Sequence, residues 1–268
     1  MDQLLHQVVI VLYQPQDVVN VAAILRVMSN FGLPSLRLVE PAAFDPYRIE
    51  GIAHHTDALV AASRRYPTLA EAVTDCHLIL GTTGRPRQAE RLVVEPRQAA
   101  PLLLEAARAG QKVAVLFGRE QDGLPNDALD LCHGILTIPT HAANRSLNLA
   151  QAALVVAYEL WMAASAPVGG STVGVSPAPA PVPAGTDLAS GAENDAMVDA
   201  LRQVLVALYP GTTAARLENS LSRLRTMLMR AAPRTEEAAA LTNLCRHLVR
   251  TLPSLRAAPP GRGHRPPP

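Results

Sequence analysis

Aromatic residues and cysteines are scarce in this chain of 268 residues, and each shortage excludes a class of structure. Aromatic residues make up 3% of the sequence, so the core must be aliphatic and any nucleic-acid contact must depend on charge and backbone. The three cysteines, Cys76, Cys132 and Cys245, are far apart and form no CxxC pair. They predict neither a disulfide framework nor a zinc site, and they suit a reducing cytosol. We therefore expect a cytoplasmic protein without a bound metal.

Long apolar runs and the common nucleotide-binding motifs are also missing. No run approaches the length of a membrane span, and the short apolar run near the N-terminus has no basic region ahead of it. The sequence therefore predicts neither a membrane segment nor a signal peptide. No GxGxxG follows the first apolar run and no GxxxxGK[ST] occurs, which disfavours a dinucleotide-binding fold and a P-loop NTPase.

Charge is distributed unevenly, although the net charge is only +1. Residues 1–163 carry 13 basic against 16 acidic side chains, a net charge of −3, and residues 164–268 carry 11 against 7, a net charge of +4. From Arg216 to the end the count is 10 basic against 3 acidic. A polyanionic partner is therefore expected at the C-terminal part of the chain.

Strand and helix signals alternate along residues 1–163, and this region is predicted to be one domain. Apolar runs typical of buried strands occupy 8–13, 36–40, 77–83, 112–118 and 134–139. Helical patterns occupy 20–32, 54–65, 96–110 and 125–132, with a short helix after Thr68 and a last helix that buries Leu147, Ala150, Leu154, Ala157 and Trp161. This alternation predicts an α/β fold with a mostly parallel sheet covered by helices on both faces.

The composition changes after residue 163. Residues 164–194 are rich in Pro, Gly and Ala and lack periodicity, which predicts a linker. Three leucine patterns then predict a small all-helical domain over residues 195–254, with a disordered tail over 255–268.

Three polar segments of the first domain follow strand-like runs, and open α/β sheets bind ligands at the carboxyl ends of their strands. In the first segment, NVAAILR, Asn20 and Arg26 lie about 240° apart around a helix, so they do not share a face. Taken alone, this segment predicts that Asn20 caps or precedes the helix and that Arg26 is a solvated side chain.

The other two segments combine glycine or small polar residues with the start of a new element. FGREQDG (117–123) follows a late strand, and its glycines allow a ligand to approach the main chain, although an ordinary loop would also contain them. IPTHAANRSLNLA (138–150) opens the last helix, where Ser146 is the expected N-cap and unpaired N–H groups attract anions.

Together, N-x5-R, FGRE-x2-GL and IP-x6-SLNLA resemble the three motifs of the TrmH-type (SpoU) branch of the SPOUT RNA methyltransferases, and TrmJ-like members most closely. The resemblance covers residues 6–163 by motif and 196–252 more loosely. It implies a deep trefoil knot near the C-terminal end of the α/β domain, an exception to the usual topology. It also implies a homodimer that transfers methyl from S-adenosylmethionine to a ribose 2′-hydroxyl of RNA. In TrmJ-like members the target is nucleotide 32 of the tRNA anticodon loop.

The resemblance also implies which residues act. It assigns Arg26, Asn20, Glu120 and Ser146 to catalysis, with Arg26 beside the target hydroxyl. Because arginine stays protonated at neutral pH, we predict that Arg26 orients the target and stabilises developing charge rather than removing a proton. One departure is Ala22, where the family usually has glycine. The implied cofactor-binding residues are Thr82, Thr83, Gly84, Phe117, Gly118, Arg119, Gly123, Ile138, Ser146, Leu147 and Asn148.

Arginines of the C-terminal helices fit an RNA partner without reference to the family. Arg216, Arg223 and Arg230 are spaced by seven residues and lie within about 40° of each other on a helix, while Arg246 and Arg250 form an i, i+4 pair. The pattern is typical either of a solvated helix face or of phosphate binding. The predicted RNA-binding residues are Arg26, Arg145, Arg216, Arg223, Arg230, Arg246 and Arg250.

Three other functions stay open from the sequence. The same chemistry could act on ribosomal RNA or on the wobble nucleotide of tRNA. A non-catalytic RNA-binding protein could keep the fold, although the joint presence of Arg26, Glu120, Ser146 and Asn148 speaks against this. A generic nucleotide-binding domain would lack its phosphate loop.

Overall fold

A computed structural model describes residues 2–42, 44–84, 92–166 and 187–257 of the chain. Its single sheet has seven strands. The strands are β1 (Val8–Tyr13), β2 (Ser35–Val39), β3 (Arg64–Tyr66), β4 (Leu78–Thr82), β5 (Leu92–Val94), β6 (Val113–Phe117) and β7 (Gly134–Leu136). The helices are α1 (Asp2–Leu5), α2 (Val18–Asn30), α3 (Pro46–Ile52), α4 (Asp57–Ala62), α5 (Leu69–Val73), α6 (Pro96–Arg108), α7 (Asn126–Asp130), α8 (Leu149–Ser165), α9 (Gly191–Leu208), α10 (Ala214–Ala231) and α11 (Thr235–Ala257).

All neighbouring strands of the sheet are parallel, in the order β3-β2-β1-β6-β4-β7-β5. In the middle of the sheet, Ile10 of β1 lies between Leu36 of β2 and Val115 of β6. The apolar runs of β1 and β6 are buried because helices cover both faces of the sheet. The predicted α/β fold with a parallel sheet is confirmed. Strand pairing alone does not trace how the loops cross, so the trefoil knot stays a prediction.

Two short strands were not predicted from the sequence. β3 lies at one edge of the sheet and begins within the stretch 54–65 that the helical pattern covers, so that prediction was wrong for residues 64–65. β5 forms the other edge. Edge strands of three residues are paired on one side only, and the residues of β3 are mostly exposed, so their sequences lack the apolar run of a buried strand.

The buried face of α8 matches the predicted stripe only in part, since Ala157 is buried as predicted. Leu149, Ala153, Val156 and Leu160 are buried, whereas Leu154 is 44% exposed. The helix is apolar on nearly every side, so a pattern of three- and four-residue spacings fits more than one face. The exposed stripe that results consists of Leu154, Tyr158 and Met162.

The C-terminal part of the chain forms three helices, α9, α10 and α11, as the leucine patterns predict. α9 packs along α11 through small clusters that contain Met197, Ala200, Ala238 and Cys245. The predicted linker lies partly outside the described residues, over 167–186, and so does the predicted tail from residue 258 onward. Among the helices of the described ranges, none has the length and apolar character needed to cross a membrane.

Candidate active site

Three segments of the α/β region line one open cleft of about 1070 Å³ at the carboxyl ends of the strands, and two of them are the polar segments 117–123 and 138–150. The segment after β4, the segment after β6 and the segment between β7 and α8 each contribute part of its wall. The cleft therefore lies where a parallel α/β sheet binds its ligands. The predicted site residues that line it are Thr82, Thr83, Gly84, Phe117, Gly118, Arg119, Glu120, Gly123, Ile138, Arg145, Ser146 and Leu147.

The segment after β6 folds back on itself as a tight hairpin. Arg119 and Gly123 exchange backbone hydrogen bonds, with N–O distances of 3.2 and 2.9 Å. A Cβ atom at Gly118 would lie 2.0 Å from the carbonyl carbon of Gly123, so only glycine fits at position 118. The missing side chain of Gly118 therefore lets the two strands of the hairpin approach closely at the wall of the cleft.

The cleft fits a bound S-adenosylmethionine in size and in chemistry. Its volume is typical of small-molecule sites, and Phe117 and Ile138 give it apolar walls. The Nε atom of Arg119 is buried and has no hydrogen-bond partner among the described residues. An unpaired buried donor lowers stability, so an acceptor group on a ligand would be favourable there.

A chain of hydrogen bonds joins the three polar segments. The Glu120 carboxylate accepts from Asn20 Nδ2 at 3.1 Å and from the backbone N–H groups of Gln16 and Asp17 at 3.1 and 3.2 Å. Asn20 Oδ1 in turn accepts from Asn148 Nδ2 at 2.9 Å. Glu120, Asn20 and Asn148 are distant in the sequence, and their side chains fix the mutual position of the hairpin, α2 and α8.

Two predicted helix caps were wrong. Asp17, not Asn20, caps α2 by accepting from the N–H of Val19 at 2.8 Å, and Asn20 lies inside the helix at 9% exposure. Asn148, not Ser146, caps α8, because its Oδ1 accepts from the N–H of Ala150 at 2.8 Å. In both cases a nearby residue of equal capping propensity takes the role, which the sequence alone does not distinguish.

Arg26 lies away from this chain of hydrogen bonds. Its guanidinium donates to the carbonyl oxygen of His54 at 2.6 Å, and the residue is exposed. Within the described part of the chain, Arg26 does not line the cleft. This agrees with the prediction that Asn20 and Arg26 face different sides of α2.

The five predicted RNA-binding arginines of the C-terminal helices, Arg216, Arg223, Arg230, Arg246 and Arg250, are exposed. Two other arginines of these helices form ion pairs: Arg202 with Glu218, and Arg225 with Asp195 at 2.6 Å.

A cluster of charges lies near the amino ends of the strands, away from the cleft at their carboxyl ends. The guanidinium of buried Arg37 donates to both carboxylate oxygens of Asp75, and Lys112 donates to the same carboxylate at 2.7 Å. These hydrogen bonds hold the pKa of Asp75 well below its usual range, despite partial burial. No group of three or more side chains suited to a metal occurs in the ranges that the structure describes.

Residues 7–158 match the SpoU rRNA Methylase family. A tRNA (cytidine/uridine/adenosine-2′-O-)-methyltransferase TrmJ of Pseudomonas aeruginosa is 36% identical over 160 residues, which are 60% of this chain and 62% of that protein. A tRNA (cytidine/uridine-2′-O-)-methyltransferase TrmJ of Cronobacter sakazakii is 30% identical over 264 residues, 96% of this chain and all of that one. The crystal structure of TrmJ from Z. mobilis ZM4 is similar with a TM-score of 0.73 at 30% identity, over 90% of this chain and 98% of that chain.

The fold and the cleft define a ligand-binding protein built on a parallel α/β sheet. The chain belongs to the SpoU rRNA methylase family, as the three motifs predict. It spans less than two thirds of the length of two curated relatives, 65% and 62%, although it covers others almost completely.

Proposed function

We propose that this protein is an S-adenosylmethionine-dependent 2′-O-methyltransferase of tRNA, acting in the cytoplasm on cytidine or uridine at nucleotide 32 of the anticodon loop. The observation that carries the proposal is the hydrogen-bonded chain Glu120–Asn20–Asn148, which brings three distant motifs to the edge of one cleft. The substrate assignment is supported by the names of relatives that align with nearly the whole chain.

In this proposal the cleft holds the cofactor through backbone groups of the hairpin and of residues 82–84 and 138–148. Bound S-adenosylmethionine would supply a methyl group that its sulfonium has already activated. The protein then needs chiefly to hold the acceptor hydroxyl in line, which by itself lowers a barrier substantially. The proton of that hydroxyl passes to a phosphate oxygen of the RNA. Ser146 and Arg145, exposed on the rim of the cleft, are suited to contact the nucleotide.

The active site is proposed to form between two copies of the chain. The exposed stripe of α8 consists of Leu154, Tyr158 and Met162, which are 44%, 46% and 49% exposed. These residues form a contiguous apolar surface, which is typical of an interaction site, unlike single exposed apolar residues. α8 packs against α2, where Tyr158 meets the ring of Phe31 edge-on, and α2 also carries Arg26. A homodimer through this surface would cover the stripe and place Arg26 near the cleft of the partner.

Arg26 is assigned an orienting role, because a protonated guanidinium donates hydrogen bonds and cannot accept a proton. Arg26→Lys keeps the charge and removes the planar fork. We expect this variant to lose at least tenfold in kcat. Retention of nearly full activity in a steady-state methylation assay would contradict the orienting role.

The function is tested by incubating the protein with methyl-labelled S-adenosylmethionine and either total tRNA or ribosomal RNA. We expect label in tRNA. Transfer only to ribosomal RNA would overturn the assignment of tRNA as the substrate. Transfer to neither RNA would favour a non-catalytic RNA-binding protein. Base preference is compared on transcripts that carry cytidine, uridine or adenosine at the target.

A further inference from the structure

One helix of the C-terminal part lies directly against the α/β region. The hydroxyl of Ser222 on α10 donates to Asp130 Oδ2, and the hydroxyl of Thr226 lies 3.2 Å from Asp130 Oδ1. Asp130 is the last residue of α7, which follows the hairpin after β6. Hydrogen bonds to a carboxylate are stronger than those between neutral groups, so this contact is a specific attachment of α10.

This attachment lies at the proposed cofactor cleft. Asp130 and Ser222 both line the cleft that the hairpin and residues 138–149 also line. α10 therefore contributes Ser222 to a cavity that the sequence predicts from segments of the α/β region alone. A ligand in the cleft meets a wall that consists partly of α10.

A second attachment lies near the amino end of β4. The first turn of α9 donates backbone hydrogen bonds from Gly191 to the Cys76 carbonyl and from Ala192 to the Thr74 carbonyl, each at 2.9 Å. A Cβ atom at Gly191 would lie 2.4 Å from the carbonyl oxygen of Val73, so a side chain there would push the helix away. This close approach requires glycine.

α9 begins at the second attachment and packs against α10, which carries the first. An 18-residue helix is about 27 Å long. It begins at the residues that precede β4, and further along its Val198 and Arg202 line a crevice with Tyr13 and Val39, where β1 and β2 end. α9 is held to α10 by the ion pairs Arg202–Glu218 and Arg225–Asp195. We therefore expect that loosening the contact at Gly191 disturbs α10, although Gly191 does not line the cofactor cleft.

Resting on the function proposed above, we propose that α10 completes the cofactor cleft of its own chain, and that Asp130, Ser222 and Thr226 are positioning residues for cofactor binding. A ligand that contacts the docked helix binds the docked state more tightly than the undocked state. The apparent affinity then falls with the fraction of molecules in which α10 is docked. By linkage, the ligand stabilises docking to the same extent.

The test measures by calorimetry how tightly the full chain binds S-adenosylhomocysteine, which is the product form of the cofactor. We expect Asp130→Ala and Gly191→Ala each to raise its Kd by about fivefold or more. The matched controls are Ser220→Ala, which removes a hydroxyl bonded within α10 itself, and Gly211→Ala, a glycine with open space around its Cα. Both controls should leave the Kd within twofold of the unchanged protein.

Hydrogen exchange supplies the second readout, because it reports docking independently of affinity. We expect the ligand to increase protection of the amides of α10, and Gly191→Ala to decrease it while β1 and β6 stay protected. Unchanged protection of α10 in Gly191→Ala would overturn the attachment. Lost protection with an unchanged Kd would overturn the coupling alone. Failure of the unchanged chain to bind S-adenosylhomocysteine would overturn the proposed function as well.

Discussion

At the scale of single residues, Asn20 is the residue that joins the two ends of the hydrogen-bonded chain in the proposed site. It is the middle member of the chain from Glu120 to Asn148, and its amide serves both neighbours, as donor to one and acceptor from the other. Neither aspartate nor serine could do both at neutral pH, because the first lacks a donor and the second is too short to reach both partners.

Asn20→Ala should therefore impair function more than its effect on folding explains. Loss of two hydrogen bonds, one of them to a carboxylate, lowers the free energy of unfolding by about 2 kcal/mol. We expect methyl transfer to fall at least tenfold at a temperature where the variant is fully folded. The matched control is Asn30→Ala, an exposed asparagine at the end of the same helix. Equal activities for the two variants would refute the role of Asn20.

His133 sets a pH dependence of stability that is separate from the active site. Burial, with a smaller effect from neighbouring His77, lowers the pKa of His133 to about 4. Its Nδ1 accepts from the N–H of Ile79 at 3.1 Å, so the folded protein holds the neutral ring. Because the unfolded chain binds the proton more tightly, stability is complete above the ordinary pKa near 6.5 and is lost as the pH falls towards 4.

We expect the free energy of unfolding to drop by about 2 kcal/mol from this residue between pH 7.5 and pH 5. His133→Asn keeps an acceptor near Ile79 and removes the titrating ring, so that part of the drop should vanish. His247→Asn, at an exposed position of α11, is the control and should leave the drop unchanged. Urea unfolding at the two pH values measures this drop. If the free energy of unfolding of His133→Asn falls as much as that of the unchanged protein, the assignment to His133 is contradicted.

At the scale of elements, the sequence predicted what depends on local pattern. The apolar runs of β1 and β6 and the apolar face of α2 are predictable because burial on both sides, or on one stripe, leaves a clear periodicity. The short edge strands β3 and β5 lack that signal. The caps of α2 and α8 were misassigned because Asp17 and Asn148 compete with equally suitable neighbours. The sequence does not show that the side chain of Asn20 bonds to Glu120 and Asn148.

The exposed stripe of α8 leads to a prediction about this helix as an element. Leu154→Arg places a charge in the middle of an apolar surface that a second copy would bury, so we expect a homodimer to become a monomer. Light scattering after size-exclusion chromatography measures the mass directly. Val206→Arg alters a similarly exposed aliphatic residue, 50% exposed on α9, and should have no effect on the mass. If Leu154→Arg is still a dimer, the dimer interface does not involve the exposed stripe of α8.

At the scale of the whole molecule, the two parts of the chain divide the proposed work. The α/β region carries the cleft and a net negative charge, and the C-terminal helices carry the exposed arginines. The sequence predicted the helices and the stripe of arginines, since both follow a helical period. It did not predict that α10 borders the cleft, because contacts such as Ser222 to Asp130 join residues with no shared pattern.

RNA affinity should depend on the positive charge of the α10 arginine stripe, which consists of Arg216, Arg223 and Arg230. Arg223→Glu with Arg230→Glu reverses two positive charges, and we expect the Kd for tRNA to rise at least tenfold with a shallower dependence on salt concentration. Arg108→Glu changes the charge of an exposed arginine at the end of α6 and serves as the control. Filter binding at several salt concentrations measures both quantities. An unchanged slope would show that the stripe is only a solvated face.

The most direct test of the central claim uses two tRNA transcripts that differ in one oxygen atom. One has an ordinary ribose at nucleotide 32, and the other has 2′-deoxyribose there. After incubation with methyl-labelled S-adenosylmethionine, we predict one methyl group per molecule on the first transcript, mapped to the 2′-oxygen of nucleotide 32, and none on the second. Equal labelling of both transcripts, or none of either, would contradict the account.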